Sequence, residues 1–129
     1  MNGSADKKTG VDAVFAGRRL RFELRRDAHA VVSLEAAIGS PFAAFLRFGT
    51  GAWSMTDVRM VLSHAYPGAT LLHRLTRVAV VEAAIEAKPA TTYAWLAQKT
   101  LEAFLMGLDP ALATFDEADP LPKSMGQHA

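Results

Sequence analysis

The sequence predicts an α+β fold, predominantly helical, in which an N-terminal β-hairpin packs against about five α-helices. Three observations predict it. Apolar and polar residues alternate strictly only between Val11 and Arg25, a three-and-four spacing takes over after Asp27, and Gly or Pro then breaks that spacing at helix-length intervals. With 129 residues, half of them hydrophobic and 21% charged, the chain fits one folded domain with one core.

The elements follow in order. Residues 1–10 are polar, Gly- and Lys-containing, and read as a flexible lead-in. "VDAVF" places Val11, Ala13 and Phe15 on one strand face, and "RRLRFELRR" does the same for Leu20, Phe22 and Leu24. Arg19, Arg21, Glu23 and Arg25 take the opposite, wet face, and "AGR" supplies the turn. A lone hairpin is marginal in water, so a helical layer must cover its apolar side.

Asp27 is a natural N-cap for a first helix, whose stripe of Val31, Leu34 and Ile38 ends at Gly39. Ser40 and Pro41 open a second, short helix carrying Phe42, Phe45 and Leu46 and ending near Gly49. Ser54 or Thr56 caps a third, with Val58, Val61, Leu62 and Ala65 inward, stopped by Tyr66-Pro67-Gly68. Thr70 caps a fourth with Leu71, Leu75, Val78 and Ile85 on its apolar side, ended by Lys88-Pro89. Thr91 or Thr92 caps a fifth, where Trp95, Leu101, Phe104, Leu105 and Leu108 give bulk and Ala94 and Ala97 admit a neighbour. Asp109-Pro110 closes it. The domain is thus expected over 11–109, with 110–129 an acidic, disordered tail.

Composition narrows the function. Cysteine is absent, which removes disulfides, thiolate metal sites and a cysteine nucleophile. The net charge of +1 is unevenly spread: residues 1–26 hold seven of the 14 Lys and Arg against three acids, whereas acids dominate from Asp109 onward. The opening residues lack the apolar core of a signal peptide, and no apolar run reaches the ~18 residues of a membrane span, so a cytoplasmic, membrane-free protein is expected.

No set of reactive side chains stands out. His29, His64, His73 and His128 include no i, i+4 pair, and Glu82 and Glu86 share a helix face without a sign of a cleft. Ser40 and Ser54 are already engaged as caps, and "GTGAW" lacks the continuation of a phosphate loop. No catalytic residue, metal ligand or cofactor is expected, and the chain reads as a non-enzyme. Arg19, Arg21 and Arg25 could make a basic ribbon for a nucleic-acid groove, but Glu23 interrupts them and no aromatic joins that face. A small helical nucleic-acid-binding domain therefore stands only as an alternative. Aromatic side chains are favoured anchors at protein interfaces, and Phe48, Trp53, Trp95 and Phe104 are the partner-binding candidates.

The order "LRFEL", "SLEAAIG", "SPFAAFL", "DVRMVLSHAY" and a Pro-Gly break, over residues 11–66, resembles the small tail assembly proteins of siphophages and of phage-like gene transfer agents. The signature positions are Leu34-Glu35, Gly39, Ser40-Pro41-Phe42 and Asp57-Val58-Arg59. This family carries two labels, tail assembly chaperone and tail tube protein. The resemblance implies a chaperone that coats the tape measure protein and recruits tail tube subunits, with homo-oligomers possible; a structural tail component is the alternative. Helix-in-groove recognition would suit the chaperone role. Glu35 has two readings, a contact to a partner or, favoured, a fold role in which it accepts bonds from backbone or from Arg21 or Arg25.

Overall fold

The computed structural model describes residues 6–68 and 71–120, and of residues 71–75 the backbone alone. Its elements are β1 (Val11–Phe15), β2 (Arg18–Phe22), α1 (Ala28–Ile38), α2 (Pro41–Thr50), α3 (Met55–Ala65), α4 (Leu71–Glu86), α5 (Ala94–Leu105), a 3-10 turn (Pro110–Leu112) and β3 (Thr114–Asp116). The fold is α+β and mainly helical, as the two periods predict.

The hairpin forms where the alternation places it. Val11 pairs with Phe22, Ala13 with Leu20 and Phe15 with Arg18, antiparallel, around the two-residue turn Ala16-Gly17. Both turn residues have positive φ, 52° and 75°, the demand of a primed turn, and Gly17 meets it without strain. Val11, Phe15, Phe22 and Leu24 are fully buried, so the apolar face packs inward as a strand period of two requires.

A third strand was not foreseen. β3 lies parallel to β1 on the side away from β2, giving the order β2-β1-β3. The segment leading to it is stitched down as well: Leu108 and Lys8 exchange backbone bonds of 2.7 and 2.9 Å, and the Asp12 N–H donates to Ala113 O. Residues 110–120, expected as a disordered tail, are therefore part of the fold, because Ala113 and Phe115 supply two apolar side chains to the core. Residues 121–129 lie outside the described residues. The lead-in is also docked from Lys7 onward, with the Thr9 hydroxyl donating to Glu23 at 2.6 Å.

Caps bear out the helix starts for α1 to α3. Asp27 accepts from Ala30 N, Ser40 from Ala43 N, and Ser54 from Asp57 N, with the Asp57 carboxylate returning a bond to the Ser54 N–H. α5 starts later than Thr91 or Thr92; Tyr93 occupies its N-cap, with no side-chain bond. The proposed Thr70 cap lies outside the described residues, as do the side chains of Leu71 and Leu75.

Two helix faces differ from expectation. α2 turns Pro41, Ala44 and Phe48 inward and leaves Phe42 and Leu46 outside; its end falls at Gly51, in the left-handed conformation, two residues beyond Gly49. α4 buries Val81, Ala84 and Ile85, and Val78 faces outward. A short apolar-rich helix permits more than one stripe, and tertiary packing chooses between them. α5 is the centre of the helical layer: it packs against α2, α3 and β1 through Leu96, Ala97, Thr100 and Leu101, all fully buried.

Candidate functional site

Three places on this frame were built with more than ordinary care: a carboxylate staple between helices, a clamp on the C-terminal segment, and the outer surface of the sheet. The staple is Asp57. It is 6% exposed and binds Arg47 through both oxygens, at 2.8 and 3.1 Å, while Arg47 also donates to Ile38 O at 3.0 Å. One ion pair thus joins the end of α1, the body of α2 and the start of α3. Arg47 above all, helped by the Ser54 N–H, holds the Asp57 carboxyl below its ordinary range despite burial.

The clamp is Glu117. Its carboxylate accepts from the Ala16 and Gly17 amides at 2.7 and 2.8 Å and from the Tyr93 hydroxyl at 2.5 Å. Burial pushes the Glu117 carboxyl upward, but the Tyr93 hydroxyl and the two amides outweigh it, so the net displacement is downward. Burial, with that carboxylate beside it, raises the Tyr93 phenol. Aromatic rings continue the contact inward: Tyr93 meets Phe115 and Phe15, and Phe15 and Phe22 both meet Tyr66, at centroid distances of 4.7–6.3 Å. This ring chain is assembled from five different segments, too far apart in the sequence for a local pattern to show it.

On the outer face of the sheet lies an open groove of about 730 Å³, lined by Asp12, Arg19, Arg21, Thr114, Asp116 and Asp119 among others. Arg21 reaches Asp12 at 3.4 Å and Glu23 at 3.0 Å. A basic ribbon for nucleic acid would need those cations free; here acids share the face with them.

The predicted partner anchors do not converge on one surface. Phe48 is buried (5% exposed) and stacks on the half-buried Trp53, ring centroids 6.0 Å apart. Trp95 and Phe104 are half-buried on α5, and the Arg26 guanidinium lies over the Phe104 ring at 4.9 Å. Of the signature residues, Leu34 and Pro41 are core, Gly39 caps α1, and Phe42 is exposed. Glu35 does not take the expected fold role: it is exposed, Arg21 is engaged by Asp12 and Glu23, and Arg25 pairs with Asp27. Glu23 holds Thr9 and Arg21 instead, and Thr9 chiefly draws its carboxyl downward.

Reactive groups gather in one further place. Ser33 Oγ and His64 Nε2 are 3.2 Å apart beside a crevice between α1, α3 and α4. His64 Nδ1 contacts the Met60 carbonyl one helical turn earlier, at 2.7 Å, so a helix carbonyl orients the ring where a nucleophilic site would set a carboxylate. Among the described residues, no three His, Asp or Glu side chains converge as a metal ion would require.

The fold and these surfaces define a small α+β protein in which the Asp57 and Glu117 carboxylates tie helices and strands together. The comparison with known families makes this particular. Residues 8–107, about three-quarters of the chain, match the model of the family described as phage tail tube protein, GTA-gp10, and the chain belongs to that family. Its role is in the structure or assembly of a phage-type tail. No curated protein and no solved structure matches it.

Proposed function

We propose that the chain is a structural component of a phage-type tail, positioned at the tail tube, and that it works by docking on neighbouring tail proteins. The observation that carries this reading is the family match, which spans the hairpin and all five helices and names the tail tube. A protein built around staples such as Arg47–Asp57 suits a part that must keep its shape while partners assemble on it. Assembly of such a part would take place in the bacterial cytoplasm, with no cofactor. Electron microscopy and light scattering of the purified chain, alone and co-expressed with the tail proteins encoded beside it, test the proposal. Rings, tubes or a stable complex containing this chain support it; a lone monomer that enters no particle refutes it.

A second reading is favoured by one specific feature. Phe42 and Leu46, 53% and 50% exposed, stand one helical turn apart on the outside of α2, the spacing of a helix-in-groove contact. On that reading the chain is a chaperone that keeps the tape measure protein soluble and hands it to tube subunits. Solubility of the tape measure protein only in the presence of this chain, lost on Phe42→Asp, would favour the chaperone.

A further inference from the structure

The hydrogen-bond pattern of the sheet fixes which backbone groups of β2 face outward. Asp12 N–H donates to Ala113 O and Val14 O accepts from Glu117 N, so Asp12 and Val14 point their peptide groups toward β3. Their antiparallel partners, Arg21 and Arg19, are therefore the non-bonded pairs of the hairpin and turn N–H and C=O away from β1. The next residue in that outward row, Glu23, already donates to Ala65 O at 3.0 Å. Among the described residues, Arg19 and Arg21 thus leave an open ladder of two donors and two acceptors, begun at one end by Ala65.

At the opposite edge the outward acceptors are taken. Lys99 Nζ occupies Leu112 O at 3.0 Å and Thr114 O at 2.7 Å, and the Asp119 N–H occupies Asp116 O at 3.0 Å. An added strand therefore finds free acceptors beside β2 and occupied ones beside β3. Charge selects the occupant. Arg18 and Arg19 are exposed along β2 and carry no acid partner among the described residues, while Arg21 shares its charge with Asp12 and Glu23. Pairing with the β2 of a second copy would set arginines against arginines. On the added strand, residues sharing the face of Arg19 and Arg21 should be acidic. Those on the other face would meet the half-buried Leu20, and should be apolar.

We infer that the β2 edge is a strand-addition site for an extended segment of another protein that alternates acidic and apolar residues. The inference deepens the docking role proposed above, and names the chemistry of the partner segment.

The test is a titration of the ¹⁵N-labelled full chain with the peptide acetyl-Glu-Val-Glu-Val-Glu-amide, followed by amide chemical shifts. The peptide should bind weakly, with Kd on the order of millimolar, and move the Arg19 and Arg21 amides first. The Lys-Val-Lys-Val-Lys counterpart should leave them in place. Arg19→Pro removes an outward donor while sparing the ladder to β1, and should abolish the response; Arg19→Glu keeps the backbone intact and should weaken it at least tenfold. No shift with the acidic peptide, equal shifts with the basic one, or an undiminished response in Arg19→Pro overturns the inference. The result stands apart from the microscopy above: a chain that joins a tail complex yet ignores the peptide keeps its proposed function and loses this site.

Discussion

The two edges of one small sheet are treated in opposite ways. At β3 the backbone carbonyls are capped by Lys99 and Asp119, the strand is three residues long, and the flanking side chains are acidic. At β2 the outward groups of Arg19 and Arg21 meet no protein group among the described residues, and the side chains are basic. Edge strands invite unwanted pairing, and folds defend them by covering, shortening or charging them. Here both defences appear, one at each edge. Covering is permanent; charge repels like edges but still admits an oppositely charged strand. The difference therefore separates an edge whose acceptors are taken from one that is selective.

Breaking the closed edge should have the largest effect. Phe115 is 7% exposed and anchors β3 against Tyr93, so Phe115→Ala should destabilise the fold by about 3 kcal/mol. Urea unfolding reads this directly, and a loss below about 1 kcal/mol would mean that β3 is not anchored by this ring.

Glu117→Gln comes next. The variant keeps the shape but removes the charge that three donors satisfy, and should cost about 1–2 kcal/mol. The carboxyl sits below its ordinary value of 4.5 in the folded chain, so its contribution is complete above that pH and fades as pH falls through the lowered folded value. Asp57, displaced downward from 3.8, works in the same direction. Stability measured from pH 7 to pH 3 should fall on acidification, less steeply in Glu117→Gln than in the wild type. Parallel curves would exclude Glu117 as a source of the slope.

Lys99→Met should cost about 1 kcal/mol and, more tellingly, uncover the Leu112 and Thr114 carbonyls. The freed acidic edge can then meet the basic β2 edge of another copy, head to tail. Light scattering should show association that rises with concentration and weakens with salt. Arg19→Glu, by contrast, changes an exposed residue whose side chain makes no bond among the described residues, and should alter stability by less than about 0.5 kcal/mol. Matching melting curves for this variant and the wild type are the check.

The sequence made some of this architecture readable and hid the rest for physical reasons. Hairpin and caps are local: Val11 to Leu24 alternate over enough residues to fix face and register, and Asp27, Ser40 and Ser54 each precede a helix they cap. β3 is only three residues long. The alternation of Ala113 and Phe115 with Thr114 and Asp116 is its one local sign, too short to outweigh the surrounding Pro and acidic residues. Phe42 and Phe48 were equally eligible for the core on composition; which one was buried was settled by packing, outside any local window.

The same limit governs the candidate surface. The arginine alternation of β2 was visible, but its meaning depended on which face carried Asp12 and on what covered each edge. Glu117 and Tyr93 are 24 residues apart, and the clamp they form depends on the parallel return of β3. Ser54 was one of two caps the sequence offered for α3; that Asp57 would complete a capping box and Arg47 turn it into a three-helix staple needed the fold.

Amide hydrogen exchange on the free chain, resolved to single residues, tests the contrast between the edges most directly. The account predicts fast exchange at Arg19 and Arg21, and slow exchange at Asp12 and Glu117, whose N–H groups are bonded within the sheet. Protection at Arg19 and Arg21, or rapid exchange at Asp12 and Glu117, would contradict it.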